Sequence, residues 1–160
     1  MKEPKNYLLR IAEKTLETKL HSSDCVLLTG PKSCGKVTLS SRYAKSILFL
    51  KDPRTFHLIS SDPKLALSGE TPHLIDEWQK VPEIWKLIRA DLDEDYEFGK
   101  YILTGSTTPV DSSQIQHSGA GRIVSMVLRP FSQFAYRSSF CCFPFLSSGP
   151  WIDKKEQMNF

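Results

Sequence analysis

The residues best suited to chemistry are Gly30-Pro31-Lys32-Ser33-Cys34-Gly35-Lys36-Val37-Thr38. Glycines let a backbone curl tightly enough to aim N–H groups at phosphate oxygens, and a helix beginning directly afterwards favours anions at its N-terminus. A lysine at the Lys36 position reaches the outer phosphates of a bound nucleotide. With glycine near ~7% and lysine near ~6% of residues, this G-x-x-x-x-G-K spacing arises by chance in roughly one chain in twenty of this length. A glycine-bearing turn with a surface lysine would read the same, so the motif needs company.

Company comes downstream in His73-Leu74-Ile75-Asp76-Glu77, an apolar strand ending in two carboxylates. Asp76 supplies the kind of hard oxygen that holds Mg²⁺ through its water shell. Glu77 can polarise a water for attack on a γ-phosphate. The plainer alternative is an exposed acidic pair at a strand end, which the preceding phosphate loop disfavours. Ser106, in Leu103-Thr104-Gly105-Ser106, offers a hydroxyl to orient that water or to sense the phosphate; a strand-end turn is its rival explanation. Arg122, after Ser118-Gly119-Ala120-Gly121, can stabilise phosphoryl charge in its own subunit or in a neighbour. A surface salt bridge explains Arg122 equally well.

The elements that must position these residues alternate in kind. Apolar residues at helical spacing over 7–20 predict an amphipathic helix, and Cys25-Val26-Leu27-Leu28 is a short buried strand ending at the phosphate loop. A helix over 35–46 follows, then strands at 47–50, 73–75, 101–103 and 123–128, with a further helix beginning at Pro82. Strands alternating with helices imply a mostly parallel five-stranded sheet covered on both faces, an α/β three-layer architecture. Ligands of such sheets bind outside the carboxyl ends of the strands, where the polar residues gather here.

Taken together, Leu28-Thr29-Gly30-Pro31-Lys32-Ser33-Cys34-Gly35-Lys36, Leu74-Ile75-Asp76-Glu77-Trp78-Gln79-Lys80-Val81-Pro82, Ile102-Leu103-Thr104-Gly105-Ser106 and Gly119-Ala120-Gly121-Arg122-Ile123 resemble a family of prokaryotic AAA+ P-loop ATPases. Its members join an ATPase core to a nuclease-like C-terminal domain of unknown function, and the resemblance runs from about Tyr7 to Phe134. It implies a P-loop NTPase fold of the AAA+ type, with ATP and Mg²⁺ as ligands. It makes Lys36 the phosphate-loop lysine, Asp76 and Glu77 the Walker B pair, Ser106 a residue of the sensor region and Arg122 the arginine finger. Two departures stand out. The position after the loop lysine usually carries a Thr or Ser that ligates Mg²⁺; here it is Val37, which keeps the shape and loses the lone pair. Relatives also continue past Pro130 into a further domain, whereas this chain stops at Phe160, as expected of a truncated product.

The chain has 160 residues, 40% hydrophobic and 24% charged, enough for one domain with a core of its own. The expected organisation is an ATP-binding domain over 1–130 and an irregular tail over 131–160. A net charge of +3 with scattered basic residues gives no indication of nucleic acid, and no run of ~20 apolar residues suggests a membrane span. Cys25, Cys34, Cys141 and Cys142 have no metal-ligand spacing, and no secretory leader is visible, so a cytoplasmic location is expected. The reading is an ATP-binding domain with slow Mg²⁺-dependent hydrolysis, able to assemble as a homo-oligomer. The alternative is an inert nucleotide-dependent interaction module, with DNA or another partner.

Overall fold

A computed structural model describes residues 10–105 and 122–130. The alternation anticipated from sequence is present, and it builds one five-stranded sheet. Helix α1 (Ile11–Ser22) precedes strand β1 (Cys25–Thr29), followed by α2 (Lys36–Ser40), β2 (Ser46–Phe49), α3 (Pro53–Ser61), β3 (His73–Asp76), α4 (Glu83–Glu94), β4 (Tyr101–Thr104) and β5 (Ile123–Val127). The order across the sheet is β2-β3-β4-β1-β5, and every pair is parallel. All carboxyl ends therefore lie along one edge.

The two-residue period of the strands divides the core into two layers. On one face Cys25, Leu27, Ile75, Tyr101 and Leu103 pack against Ile59 of α3 and against Ile84, Trp85, Ile88 and Leu92 of α4. On the other, Val26, Leu28, Leu74, Ile102 and Met126 pack against Leu16 and Leu20 of α1 and Leu39 of α2. A strand buried on both faces has no polar alternation, which is why β1 reads as a plain apolar run. Each fully buried Leu or Ile contributes about 1.5–3 kcal/mol by leaving water, so a charge at any of these positions would be costly.

Two stretches differ from the sequence reading. The helix expected over 35–46 is regular only across Lys36–Ser40. Beyond it the bonding mixes spacings, with Tyr43 N–H on Ser40 O at 3.0 Å and Ala44 N–H on the same oxygen at 3.2 Å. The Ser41 hydroxyl also returns to Thr38 O, the kind of competition by which serine loosens a helix. Second, the sequence reading leaves 51–72 unassigned, yet α3 forms there. Its start carries legible signals: Asp52 accepts from Thr55 N–H at 3.1 Å, with Pro53 in the first turn. The expected tail over 131–160 lies outside the described residues. No helix among the described residues is long and apolar enough to cross a membrane.

Candidate functional site

β1 delivers the chain to the carboxyl edge at Thr29, and the loop must then turn back sharply into α2. Gly30 makes the first bend with φ 153°, passing so close to the end of β5 that a Cβ there would lie 2.2 Å from Leu128 O. Ser33 and Gly35 follow with φ of 64° and 89°. Lys36 opens α2 and is buried; its Nζ donates to Gly30 O at 2.8 Å and Pro31 O at 2.9 Å, so the ammonium is drawn over its own loop. Pro31, Lys32, Ser33 and Thr38 are exposed, Cys34 is buried, and Val37 is half-buried in the first turn of α2.

β3 ends at the same edge. Asp76 pairs in register with Thr104 of β4, and Thr104 donates its hydroxyl to Asp76 Oδ1 at 2.6 Å. β4 lies between β3 and β1, so Thr104 stands between the carboxylate and the phosphate loop. Glu77 leaves the strand in the left-handed region, φ 57°, with its N–H held by Thr104 O at 2.9 Å. Its carboxylate accepts from Gln79 Nε2. Among the described residues only Ser33 and Glu77 are non-glycine residues with positive φ. Such a backbone costs about 1–3 kcal/mol and collects at functional sites, and here it marks the phosphate loop and the acidic pair. A hard oxygen oriented by Thr104 at this edge suits Mg²⁺, which binds through one or two carboxylates, phosphates and water.

Ser106 lies outside the described residues. The hydroxyl brought to Asp76 is that of Thr104, two residues earlier and fully buried. A hydroxyl as the last residue of an apolar strand is a visible signal, but only the register with β3 gives it a partner.

Arg122 is at the other end of the sheet. Its carbonyl accepts from Cys25 N–H at 3.1 Å, at the amino end of β1, roughly 13 Å of strand from the phosphate loop at ~3.3 Å per residue. The guanidinium donates to Leu92 O and pairs with Asp93 at 3.0 Å. It sits 5.9 Å from the Tyr96 ring centre. Burial raises the carboxyl of Asp24 above the usual carboxylate range, an effect that Arg122 and Lys100 only partly offset. The structure thus places Arg122 at the amino edge of the sheet, away from the phosphate loop of its own chain.

Arg10 escapes the sequence reading altogether. This buried arginine precedes α1, with its N–H on Glu13 Oε1 at 2.9 Å. Its guanidinium donates to Cys34 O in the phosphate loop and to Arg129 O beyond β5, each at 2.6 Å. Nothing in a single sequence marks an arginine whose partners lie 24 and 119 residues away. Arg10→Ala strips a charged donor from both carbonyls, so a loss of about 2–3 kcal/mol in unfolding stability and a several-fold weaker ATP affinity are expected. Urea titration and calorimetry measure the two effects, and an unchanged midpoint with unchanged affinity would deny Arg10 the role.

The comparisons with known proteins agree with this geometry. A family model described as "AAA domain" matches residues 22–136. Two uncharacterized proteins, Mb2031c of Mycobacterium bovis and Rv2008c of Mycobacterium tuberculosis, are each 34% identical over 118 residues, 71% of this chain. The chain spans 27% of the length of these curated relatives. Among solved structures, a variant of Thermotoga maritima RuvB is similar with a TM-score of 0.41 and 21% identity, over 74% of this chain and 43% of that one. That likeness is too loose to transfer any residue's role. With a parallel β2-β3-β4-β1-β5 sheet, a glycine-lysine loop at the end of β1 and a family match over most of its length, this chain belongs to the AAA domain family and is a nucleotide-binding P-loop domain of the AAA+ type.

Proposed function

We propose that this chain binds ATP with Mg²⁺ and hydrolyses it slowly. The observation that carries the reading is the shared edge: Lys36 follows β1, Asp76 and Glu77 end β3, and between them Thr104 holds Asp76 Oδ1 at 2.6 Å. The loop N–H groups and Lys36 bind the β- and γ-phosphates. An ammonium has three donors, and two of Lys36's rest on loop carbonyls, so the chain already aims the third. Asp76 would hold Mg²⁺, which when bound would supply neutralising charge. Glu77 orients a water and accepts its proton as the water oxygen bonds to the γ-phosphorus. The bond to the bridging oxygen breaks, and ADP and inorganic phosphate leave.

One residue favours the second reading, an inert nucleotide-dependent module. Val37 has no lone pair where a hydroxyl ligand is usual, so charge on the transferring phosphoryl group is less well neutralised. Phosphate release from ATP that stops when EDTA removes Mg²⁺ supports the enzyme. ATP binding by calorimetry without any such release supports the inert module.

Val37→Thr is expected to raise Mg²⁺-dependent turnover about tenfold at limiting Mg²⁺, with little change in metal-free ATP affinity. The swap suits the half-buried site in shape, so melting temperature serves as a folding control. A variant that folds normally and gains nothing across a Mg²⁺ titration would mean that the missing ligand is not what limits the rate.

A further inference from the structure

Trp78 and Gln79 follow the acidic pair in a single 3-10 turn, and the left-handed backbone of Glu77 folds that turn back over the carboxyl edge. The Gln79 amide consequently reaches the Glu77 carboxylate, with only Trp78 between them in the chain. An ionised carboxylate accepts and never donates, so the amide must present its NH₂ to Glu77, as it does. The other end of the same amide points at β4. A Cβ added to Gly105 would lie 2.6 Å from Gln79 Oε1 and 3.3 Å from Trp78 Nε1.

Gly105 does not have a positive φ, so its backbone makes no demand for glycine. The demand is for space. The chain is also tied here by its backbone, with Glu77 N–H on Thr104 O and Gly105 N–H on Leu28 O at 3.4 Å. The Gln79 amide thus fills the gap between the Glu77 carboxylate and the exit of β4, the strand whose hydroxyl holds Asp76.

Building on the hydrolytic reading above, we propose that Gln79 is a positioning residue that holds the Glu77 carboxylate in its working orientation. Gly105 is the space that seats the Gln79 amide, so a shift of the β4 exit is transmitted to Glu77. The bond engages Oε2 of Glu77, and a carboxylate has a second oxygen with which to accept. Gln79 therefore orients the base without blocking it.

Three variants test this. Gln79→Met keeps the length and bulk of the side chain and removes the donor. Gly105→Ala keeps Gln79 and evicts its amide, and because the atom displaced is the end of a flexible side chain, the fold should absorb the change. Each is expected to lower kcat about tenfold, the usual scale for a hydrogen bond to a charged group, with ATP Kd within about twofold and melting temperature unchanged. The double variant should also lose about tenfold, since both changes break one contact; independent sites would multiply to about a hundredfold. Unchanged or raised kcat in Gln79→Met overturns the positioning role, and normal kcat in Gly105→Ala, or a multiplicative double variant, overturns the coupling. If Gly105→Ala melts early, Gln79→Met alone decides the positioning role, and Gln79→Ala in the Gly105→Ala background decides the coupling: recovered melting temperature supports it, because the displaced amide is gone, and no recovery overturns it. A parent chain without turnover that depends on Lys36 removes the hydrolytic reading itself and this proposal with it, a result distinct from turnover that ignores Gln79.

Discussion

Lys36→Ala is expected to weaken ATP binding by about a hundredfold, the upper range for one charge-assisted hydrogen bond to phosphate. The ammonium is buried, and nothing else on the loop carries a charge at that position; Lys32 is exposed and points away from the core. The lysine also donates to Gly30 O and Pro31 O, so its loss relaxes the loop that aims the N–H groups. Both effects act on the phosphates, and the hydrophobic layers on either face of the sheet are untouched. Calorimetric titration with ATP, alongside thermal melting, separates a binding loss from an unfolding loss. Equal affinity in a folded variant would remove Lys36 from the site.

Glu77→Gln is expected to leave ATP affinity near that of the parent and to cut turnover by about a hundredfold or more, the range general base catalysis commonly supplies. The substitution keeps the side chain's length, and Gln tolerates the backbone no worse than Glu does at φ 57°. What disappears is a group able to take the proton from water. Product analysis of phosphate release in single-turnover conditions measures the chemical step directly. An unchanged rate would transfer the role of base elsewhere and leave Glu77 as a structural acid held by Gln79.

These two variants separate binding from chemistry. The chain covers 27% of the length of its curated relatives, and the family model matches residues 22–136, which include the phosphate loop. A fall in affinity belongs to the phosphate loop, whereas a fall in rate alone belongs to the ends of β3 and β4.

Much of this architecture was legible from local signals. Glycine and lysine spacing marked the loop after β1, the apolar run of 73–75 pointed to Asp76 and Glu77, and alternating patterns implied a parallel sheet. Those features depend on residues within a few positions of one another, which is where side-chain period and turn chemistry act. The position of Arg122 was also readable in principle. In a parallel sheet a residue just before a strand lies at the amino edge, away from the ligand. Only the tertiary structure decided which side chains meet. The pairing of Asp76 with Thr104 follows from strand register between segments 28 residues apart. Arg10 on the phosphate loop, and the Gln79 amide seated over Gly105, depend on the sheet order that folds distant segments together. The chain's own pattern says what each strand buries; its neighbours are chosen by how the layers of helices cover both faces at once.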